Sequence, residues 1–261
     1  AAVRPAGQHP HQQSVVVADG EHTGYARTGP GMGFGEVPLP QTVAAAASIR
    51  RLTGILLALE QPDSIVDDLV ARIDAVSDRL TALLPADLGP RIGDHQSPDR
   101  RIYLDHSRDI GVYNPAFPEF AFTTSEPDRA TGTVIFPLNF EGPPGLVHGG
   151  FLSVFFDSVM QQHNCQEGLA GKTRSLNVRY RRPTPLLRQL DFDITRTRHE
   201  RGLLSTGRLL LDGEVLVIAE MDAVAMDPDK LITRTYGRRR PVADSVGHPE
   251  LSIPRALEED R

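Results

Sequence analysis

Cysteine is nearly absent from this chain: Cys165 is the only one, so no internal disulfide framework can form and nothing points to secretion. A lone thiol is more often a small buried hydrophobic group than a nucleophile. No apolar run approaches the roughly 18 residues that a membrane-spanning helix needs. The sequence does not begin with a basic-then-apolar signal pattern, so we expect a cytoplasmic protein without a membrane span.

Excess positive charge is also lacking, since the formal net charge of the 261 residues is -6. Binding to nucleic acid relies on a basic surface that neutralises phosphates, so nucleic acid is excluded as an expected partner. His9 and His11 have no flanking carboxylates or cysteines, which makes them poor metal ligands. These histidines are therefore not expected to form a metal site.

The composition divides the chain into five segments. Residues 1–40 offer little apolar material to offset the entropy of ordering, which predicts a largely disordered segment. Residues 41–84 predict a helical hairpin, and residues 85–110, rich in Pro, Gly, Asp and Arg, predict a linker. Residues 111–228 form the main domain, and residues 229–261 a C-terminal tail.

The two predicted helices each carry an apolar stripe but no group suited to catalysis. The spacing of three and four residues places these side chains on one face of each helix. We expect the stripes to pack on the larger domain or on another subunit. The stripe residues are Ile49, Leu52, Leu56 and Leu59 in the first helix, and Val66, Leu69, Ile73, Val76, Leu80 and Leu83 in the second.

The main domain has the pattern of an α+β fold. Residues 133–138 favour a strand, and residues 149–164 are apolar and long enough for a helix. Alternating apolar positions then predict four strands in succession, the last two joined at Asp212-Gly213, a strong hairpin signal. Residues 117–122 are a candidate for a sixth strand in front. The resulting layout is an antiparallel sheet packed against one long helix.

The segment Glu-Gly-Pro-Pro-Gly-Leu-Val-His-Gly-Gly, residues 141–150, carries the chemistry. It delivers His148 to the start of the apolar helix, where unpaired N–H groups and a partial positive charge favour a developing oxyanion. The amide of Gly149 is placed to hold that oxyanion. Asp157 follows nine residues after the histidine and interrupts the apolar helix. A carboxylate in that setting is costly unless it is compensated, which marks Asp157 as a candidate functional group.

This combination resembles the PaaI-type acyl-CoA thioesterases of the hotdog superfamily, and most of all the subgroup of the human thioesterase-superfamily-member proteins. The resemblance covers roughly residues 111–228 and includes Arg-Pro-Thr-Pro-Leu at residues 182–186. It implies a hotdog fold, in which an antiparallel sheet of five or six strands wraps around one long helix. Many PaaI-type enzymes carry an Asn six residues before the histidine; here that position is Gly142, with Asn139 nearby.

The resemblance also implies roles for particular residues. Asp157 would activate water or attack the thioester carbon directly, and the Gly149 amide would bind the oxyanion. His148 would shape the loop and hydrogen-bond near the thioester. Thr173 occupies the position of the hydroxyl residue that assists the carboxylate at the start of the following strand. The implied activity is hydrolysis of an acyl-CoA thioester without metal or cofactor.

Helix geometry predicts that the site is shared between subunits. Nine residues span about 13 Å and a half-integral number of turns, so His148 and Asp157 point to opposite sides of the helix. Two antiparallel helices related by a two-fold axis would bring Gly149 of one subunit near Asp157 of the other. We therefore expect a homodimer or homotetramer with shared active sites.

The acyl-CoA substrate needs groups that bind its phosphates. Arg179 and Arg181 share strand parity with Thr173 in a regular strand and are the first candidates, together with the backbone at Gly150. Two other functions stay open: a hotdog hydratase or dehydratase acting on an acyl thioester, and a non-catalytic acyl-CoA-binding module. The sequence does not distinguish CoA from a carrier protein and does not define the acyl chain.

Overall fold

The computed structural model describes residues 36–37, 40–84, 91–92, 102–103, 110–166, 171–200, 202–225 and 240–241. The helices are α1 (Pro40–Leu57), α2 (Ser64–Thr81), α3 (Ile110–Tyr113) and α4 (Gly149–Gln166), with a 3₁₀ turn at Leu138–Phe140. The long strands are β4 (Phe120–Ser125), β5 (Arg129–Ile135), β6 (Gly171–Tyr180), β7 (Gln189–His199), β8 (Gly202–Leu211) and β9 (Glu214–Ala225). The two-residue strands β1 (Glu36–Val37) and β3 (Ile102–Tyr103) pair antiparallel, and β2 (Arg91–Ile92) and β10 (Arg240–Pro241) pair parallel.

The six long strands form one antiparallel sheet in the order β4-β5-β7-β8-β9-β6. Helix α4 joins β5 to β6, so the chain has two strands, one long helix and then four strands. This confirms the predicted α+β layout, including the sixth strand in front. The strand expected at residues 133–138 is shifted to Arg129–Ile135, because Leu138 belongs to the 3₁₀ turn.

Helix α4 packs against the sheet through an apolar face that is fully buried. Its side chains Phe155, Phe156, Val159 and Met160 have no exposed surface. The close approach of helix and sheet depends on Gly207 in β8, where an added Cβ would lie 2.5 Å from the Met160 Cε atom. Burial of four large side chains on one helix contributes several kcal/mol, at roughly 1.5 to 3 kcal/mol each.

The hairpin between β8 and β9 is the one that the Asp-Gly pair predicts. Asp212 and Gly213 both have positive φ, 51° and 83°, and the flanking Leu211 and Glu214 are paired across the turn. Positive φ at both central residues is typical of a type I′ turn, whose twist matches that of the strands.

Helix α1 packs on the main domain through a buried arginine. Arg50 donates hydrogen bonds to the carbonyls of Gly111, Asn114 and Phe117 and forms a 2.9 Å ion pair with Glu119. These partners belong to α3 and to the segment between α3 and β4. A buried guanidinium needs such acceptors to offset its lost hydration. Helix α1 is thereby attached to the segment that leads into the sheet.

Helix α2, in contrast, buries none of its residues. Its apolar stripe stays open, with Ile73, Val76 and Leu80 each between 44% and 56% exposed. The packing of α1 and α2 as a hairpin therefore remains a prediction. No helix in the described ranges is long and apolar enough to cross a membrane.

The predicted disordered segment, linker and tail lie almost wholly outside the described residues, as does the side chain of Cys165. Within those three segments the structure describes the short strands β1, β2, β3 and β10, the first residue of α1 (Pro40) and the first residue of α3 (Ile110). The boundaries at residues 40, 84, 110 and 228 remain predictions.

Candidate functional site

The loop before α4 is closed on itself by its own backbone. The Gly142 N–H donates to the Leu146 carbonyl at 2.9 Å, and Glu141 and Val147 form an antiparallel bridge. The His148 N–H donates to the Phe140 carbonyl, also at 2.9 Å. These bonds fix the direction in which the chain enters the helix, and so fix where the first helical amides point.

One backbone N–H in the first turn of α4 has no hydrogen-bond acceptor among the described residues. The Gly150 N–H donates to Nδ1 of His148 at 3.0 Å, which makes Nδ1 an acceptor and leaves the hydrogen of the neutral ring on Nε2. The Gly149 N–H has no acceptor among the residues that the structure describes. An unpaired N–H at a helix start is a ready donor to a developing negative charge.

Tyr180, at the end of β6, covers this helix start, although no sequence motif indicates a role for it. Its hydroxyl donates to the Gly149 carbonyl at 2.9 Å, and an added Cβ on Gly149 would lie 3.2 Å from the ring. Any larger residue at position 149 would therefore press on the tyrosine. The two residues line a groove of about 400 Å³ together with Leu152, Arg181 and Arg182.

Asp157 forms the second centre with a threonine and a glutamine. The Thr173 hydroxyl donates to Oδ1 of Asp157 at 2.6 Å, which is the partnership that the resemblance implies. The Gln161 amide Nε2 in turn donates to the Thr173 oxygen at 2.7 Å. Gln161 was not predicted, although its place four residues after Asp157 puts both on the same helix face.

The two centres are well separated within one chain. Gly149 and Asp157 are eight residues apart on α4, which at 1.5 Å per residue is about 12 Å along the axis. The structure thus groups His148, Gly149 and Gly150 at the helix start and Asp157 with Thr173 further along. A single carbonyl carbon cannot contact both groups from one chain.

The parity expected for the arginines of β6 is wrong. The strand shifts register between Thr173 and Ser175, so Thr173 faces α4, whereas Arg179 pairs across from Ile218 on the opposite face of the sheet. There Arg179 forms a 3.0 Å ion pair with Glu220. The same shift turns Tyr180 toward the helix, because it pairs with the fully buried Val217.

Arg181 lies beyond the end of β6 and lines the groove beside Gly149. Arg182 also lines the groove and forms an ion pair with Glu214. Strand parity therefore does not govern either of these two side chains.

Neither position 142 nor position 139 supplies a side-chain amide to the site: residue 142 is a glycine, and the side chain of Asn139 is engaged elsewhere. An added Cβ on Gly142 would lie 2.8 Å from Cα of His148, so this loop has no room for any side chain there. The Asn139 Nδ2 donates to the Arg50 carbonyl at 3.1 Å and therefore serves the contact with α1. The site differs at this point from the many PaaI-type enzymes that carry an Asn.

The fold has relatives among solved structures. The crystal structure of a thioesterase superfamily protein matches with a TM-score of 0.55 and 23% identity, over 72% of this chain and 97% of that chain. Thioesterase superfamily member 2 from Mus musculus matches with a TM-score of 0.38 and 14% identity, over 41% of this chain and 82% of that chain. The E. coli PaaI protein of the phenylacetic acid degradation operon matches with a TM-score of 0.38 and 12% identity, over 40% of this chain and 82% of that chain.

No protein-family model matches the sequence, and no curated protein does. The first structural match is nevertheless nearly complete for the solved protein, and it extends over most of this chain. Membership of the narrower subgroup remains a prediction. The six-stranded antiparallel sheet packed on helix α4 is the hotdog fold that the sequence resemblance predicted, and it matches the fold of that thioesterase superfamily protein.

Proposed function

We propose that this protein hydrolyses an acyl-CoA thioester to the free acid and CoA. The observation that carries the proposal is the 2.6 Å hydrogen bond from Thr173 to the carboxylate of Asp157 on the central helix. That bond orients one carboxylate oxygen and leaves the other for reaction. A carboxylate held in this way suits a general base or a nucleophile.

In the general-base form of the reaction, Asp157 takes a proton from water while the water oxygen bonds to the thioester carbon. The carbonyl oxygen becomes an oxyanion and accepts a hydrogen bond from the Gly149 N–H, supported by His148 at Nε2. The oxyanion then collapses, the carbon–sulfur bond breaks, and the proton held by Asp157 passes to the leaving thiolate. Direct attack by Asp157 would instead break the carbon–sulfur bond, release the CoA thiolate and form a mixed anhydride, which water then hydrolyses to the acid and the free carboxylate; both routes use the same residues.

We further propose that each site is built from two chains. Strand β6 is a ten-residue strand at the edge of the sheet, and in the described part of the chain its outer edge has no partner. An edge of that length favours pairing with a second copy. Pairing about a two-fold axis would run the α4 helices antiparallel, which supplies Gly149 from one chain and Asp157 from the other.

The groove beside Gly149 is the proposed entrance for the CoA portion. Tyr180 and Leu152 offer it an apolar wall, and Arg181 at its rim is our first candidate for the phosphates. Arg179 remains a candidate, but it would first have to leave Glu220. The backbone at Gly150 remains a candidate for binding CoA, but its N–H already donates to Nδ1 of His148.

The test is a panel of aryl-, medium-chain and long-chain acyl-CoA thioesters, with the matching carrier-protein thioesters, assayed by release of free thiol. Hydrolysis of at least one thioester is expected. Hydration of an enoyl thioester without thiol release would favour the hydratase, and binding without turnover would favour the non-catalytic module.

The shared site has a test of its own. Asp157→Asn and Gly149→Val are each expected to be inactive, and mixing the two after reversible unfolding should restore activity. A random mixture gives half heterodimers, and each heterodimer carries one intact site of two, so about a quarter of wild-type activity is expected. No recovery in a mixture shown to contain heterodimers would refute the shared site.

A further inference from the structure

Gln161 is the one polar contact of the Asp157 centre that the proposed reaction does not use. Its side chain lies beside Thr173 and donates through Nε2 to the threonine oxygen at 2.7 Å. The threonine then donates onward to Asp157 at 2.6 Å. The three side chains form a short chain of hydrogen bonds that ends at the reacting carboxylate.

The direction of that chain follows from the number of hydrogens available. A threonine hydroxyl has a single hydrogen and two lone pairs, whereas an ionised carboxylate can only accept. The Gln161 amide occupies one lone pair of the Thr173 oxygen, so the single hydroxyl hydrogen cannot also point toward that amide. The hydroxyl hydrogen is thereby directed to Oδ1 of Asp157.

The stability of the fold does not account for a glutamine at this position. The Gln161 Oε1 atom is buried and has no hydrogen-bond partner among the described residues. An unsatisfied buried amide oxygen destabilises the fold, and an apolar side chain of similar length would avoid that penalty. A residue that carries such a cost at a reactive centre is typical of a trade of stability for activity.

We infer that Gln161 is a positioning residue, which acts through Thr173 to hold the orientation of the Asp157 carboxylate. The inference rests on the proposed function and adds to it a residue that the sequence resemblance does not imply. Gln161 does not contact the thioester in this scheme. Its whole effect passes through the threonine hydroxyl.

A double-mutant cycle tests this pathway. Gln161→Met keeps the length of the side chain and removes the donor, and Thr173→Val removes the hydroxyl. We expect Gln161→Met to lower kcat about 2- to 12-fold, which corresponds to the loss of one neutral hydrogen bond, with KM changed less than twofold. In the Thr173→Val background the same change should have no further effect on kcat, because the residue through which Gln161 acts is gone.

Two controls separate positioning from a structural role. Gln162→Met makes the same substitution one residue along the helix and should leave kcat unchanged. The melting temperature of Gln161→Met should equal or exceed that of the wild type, since the unpaired Oε1 is removed. The inference is overturned if kcat of the double variant falls by the product of the two single effects. It is also overturned if Gln161→Met lowers the melting temperature and leaves kcat unchanged.

A crystal structure of Gln161→Met supplies a readout that does not depend on activity. We expect the Thr173 hydroxyl to rotate or to move beyond hydrogen-bond distance of Asp157. A bond kept at its present length would refute the inference, even if no thioester in the panel were hydrolysed. Absence of hydrolysis by the wild type would instead refute the proposed function.

Discussion

Replacing Asp157 by asparagine is the most direct perturbation of the proposed reaction. Asparagine has the same size and retains an oxygen that can accept the Thr173 hydrogen bond, which is 2.6 Å long in the wild type. Packing around α4 should therefore be preserved. What is lost is the ability to take a proton or to attack carbon, since an amide is neither a base nor a nucleophile at neutral pH.

The size of the effect follows from the role of the carboxylate. General-base catalysis contributes about 10²- to 10⁴-fold, which corresponds to roughly 2.7 to 5.4 kcal/mol at 1.36 kcal/mol per factor of ten. We expect kcat to fall by at least 10²-fold. The melting temperature should change little, because one accepted hydrogen bond and the side-chain volume are both kept.

The assay is thiol release under saturating substrate, with thermal unfolding and light scattering on the same samples. Asp222→Asn is the matched control, because it makes the same chemical change on a carboxylate that pairs with Arg174 away from α4. That variant should turn over at the wild-type rate. Turnover by Asp157→Asn within threefold of wild type would show that this carboxylate does not carry the chemistry.

Two further predictions concern contacts outside the site. Arg50→Met should lower the free energy of unfolding by about 2 to 4 kcal/mol, because buried carbonyls such as that of Gly111 lose a charged donor. Urea denaturation measures this loss, with the exposed Arg51→Met as the control. An effect of Arg50→Met no larger than that of Arg51→Met would contradict the prediction. The hydrogen bond from Arg174 holds the pKa of Asp222 below its usual range, against the opposing effect of desolvation. The stability that the Arg174–Asp222 pair contributes is therefore complete above the ordinary carboxyl pKa, and it is lost as pH falls through the lowered pKa of Asp222. Arg174→Met should raise the pKa of Asp222 in an NMR titration, and an unchanged pKa would count against the pairing.

The anchoring of α1 changes what is expected of the N-terminal helices. From sequence they carry no catalytic group, and deletion of both would be expected to spare the chemistry of the folded fraction. The structure shows α1 bound through Arg50 to the segment before β4, and through the Arg50 carbonyl to Asn139 in the 3₁₀ turn. The Phe140 carbonyl of that turn accepts the His148 N–H. Helix α1 is therefore connected to the loop that positions Gly149.

The sequence by itself determined the features that depend on local periodicity and local backbone preference. The apolar run after Gly149 predicts the central helix, and the Asp212-Gly213 pair predicts its hairpin. The spacing from His148 to Asp157 predicts that one chain cannot complete the proposed site, because helix rise is a fixed property of the backbone. The motif and these elements together predicted the hotdog fold.

Only the tertiary structure decided which side chains meet. The register shift after Thr173 depends on how β6 pairs with β9. It reverses the face on which every later residue of the strand lies. Arg179 therefore lies on the face opposite to Thr173, and Tyr180 contacts Gly149. The hydrogen bonds from Gln161 to Thr173 and from Asn139 to Arg50 of α1 likewise join residues that are apart in sequence. Such pairings are set by the packing of the whole domain, whereas a periodicity records only the preferences of its own segment.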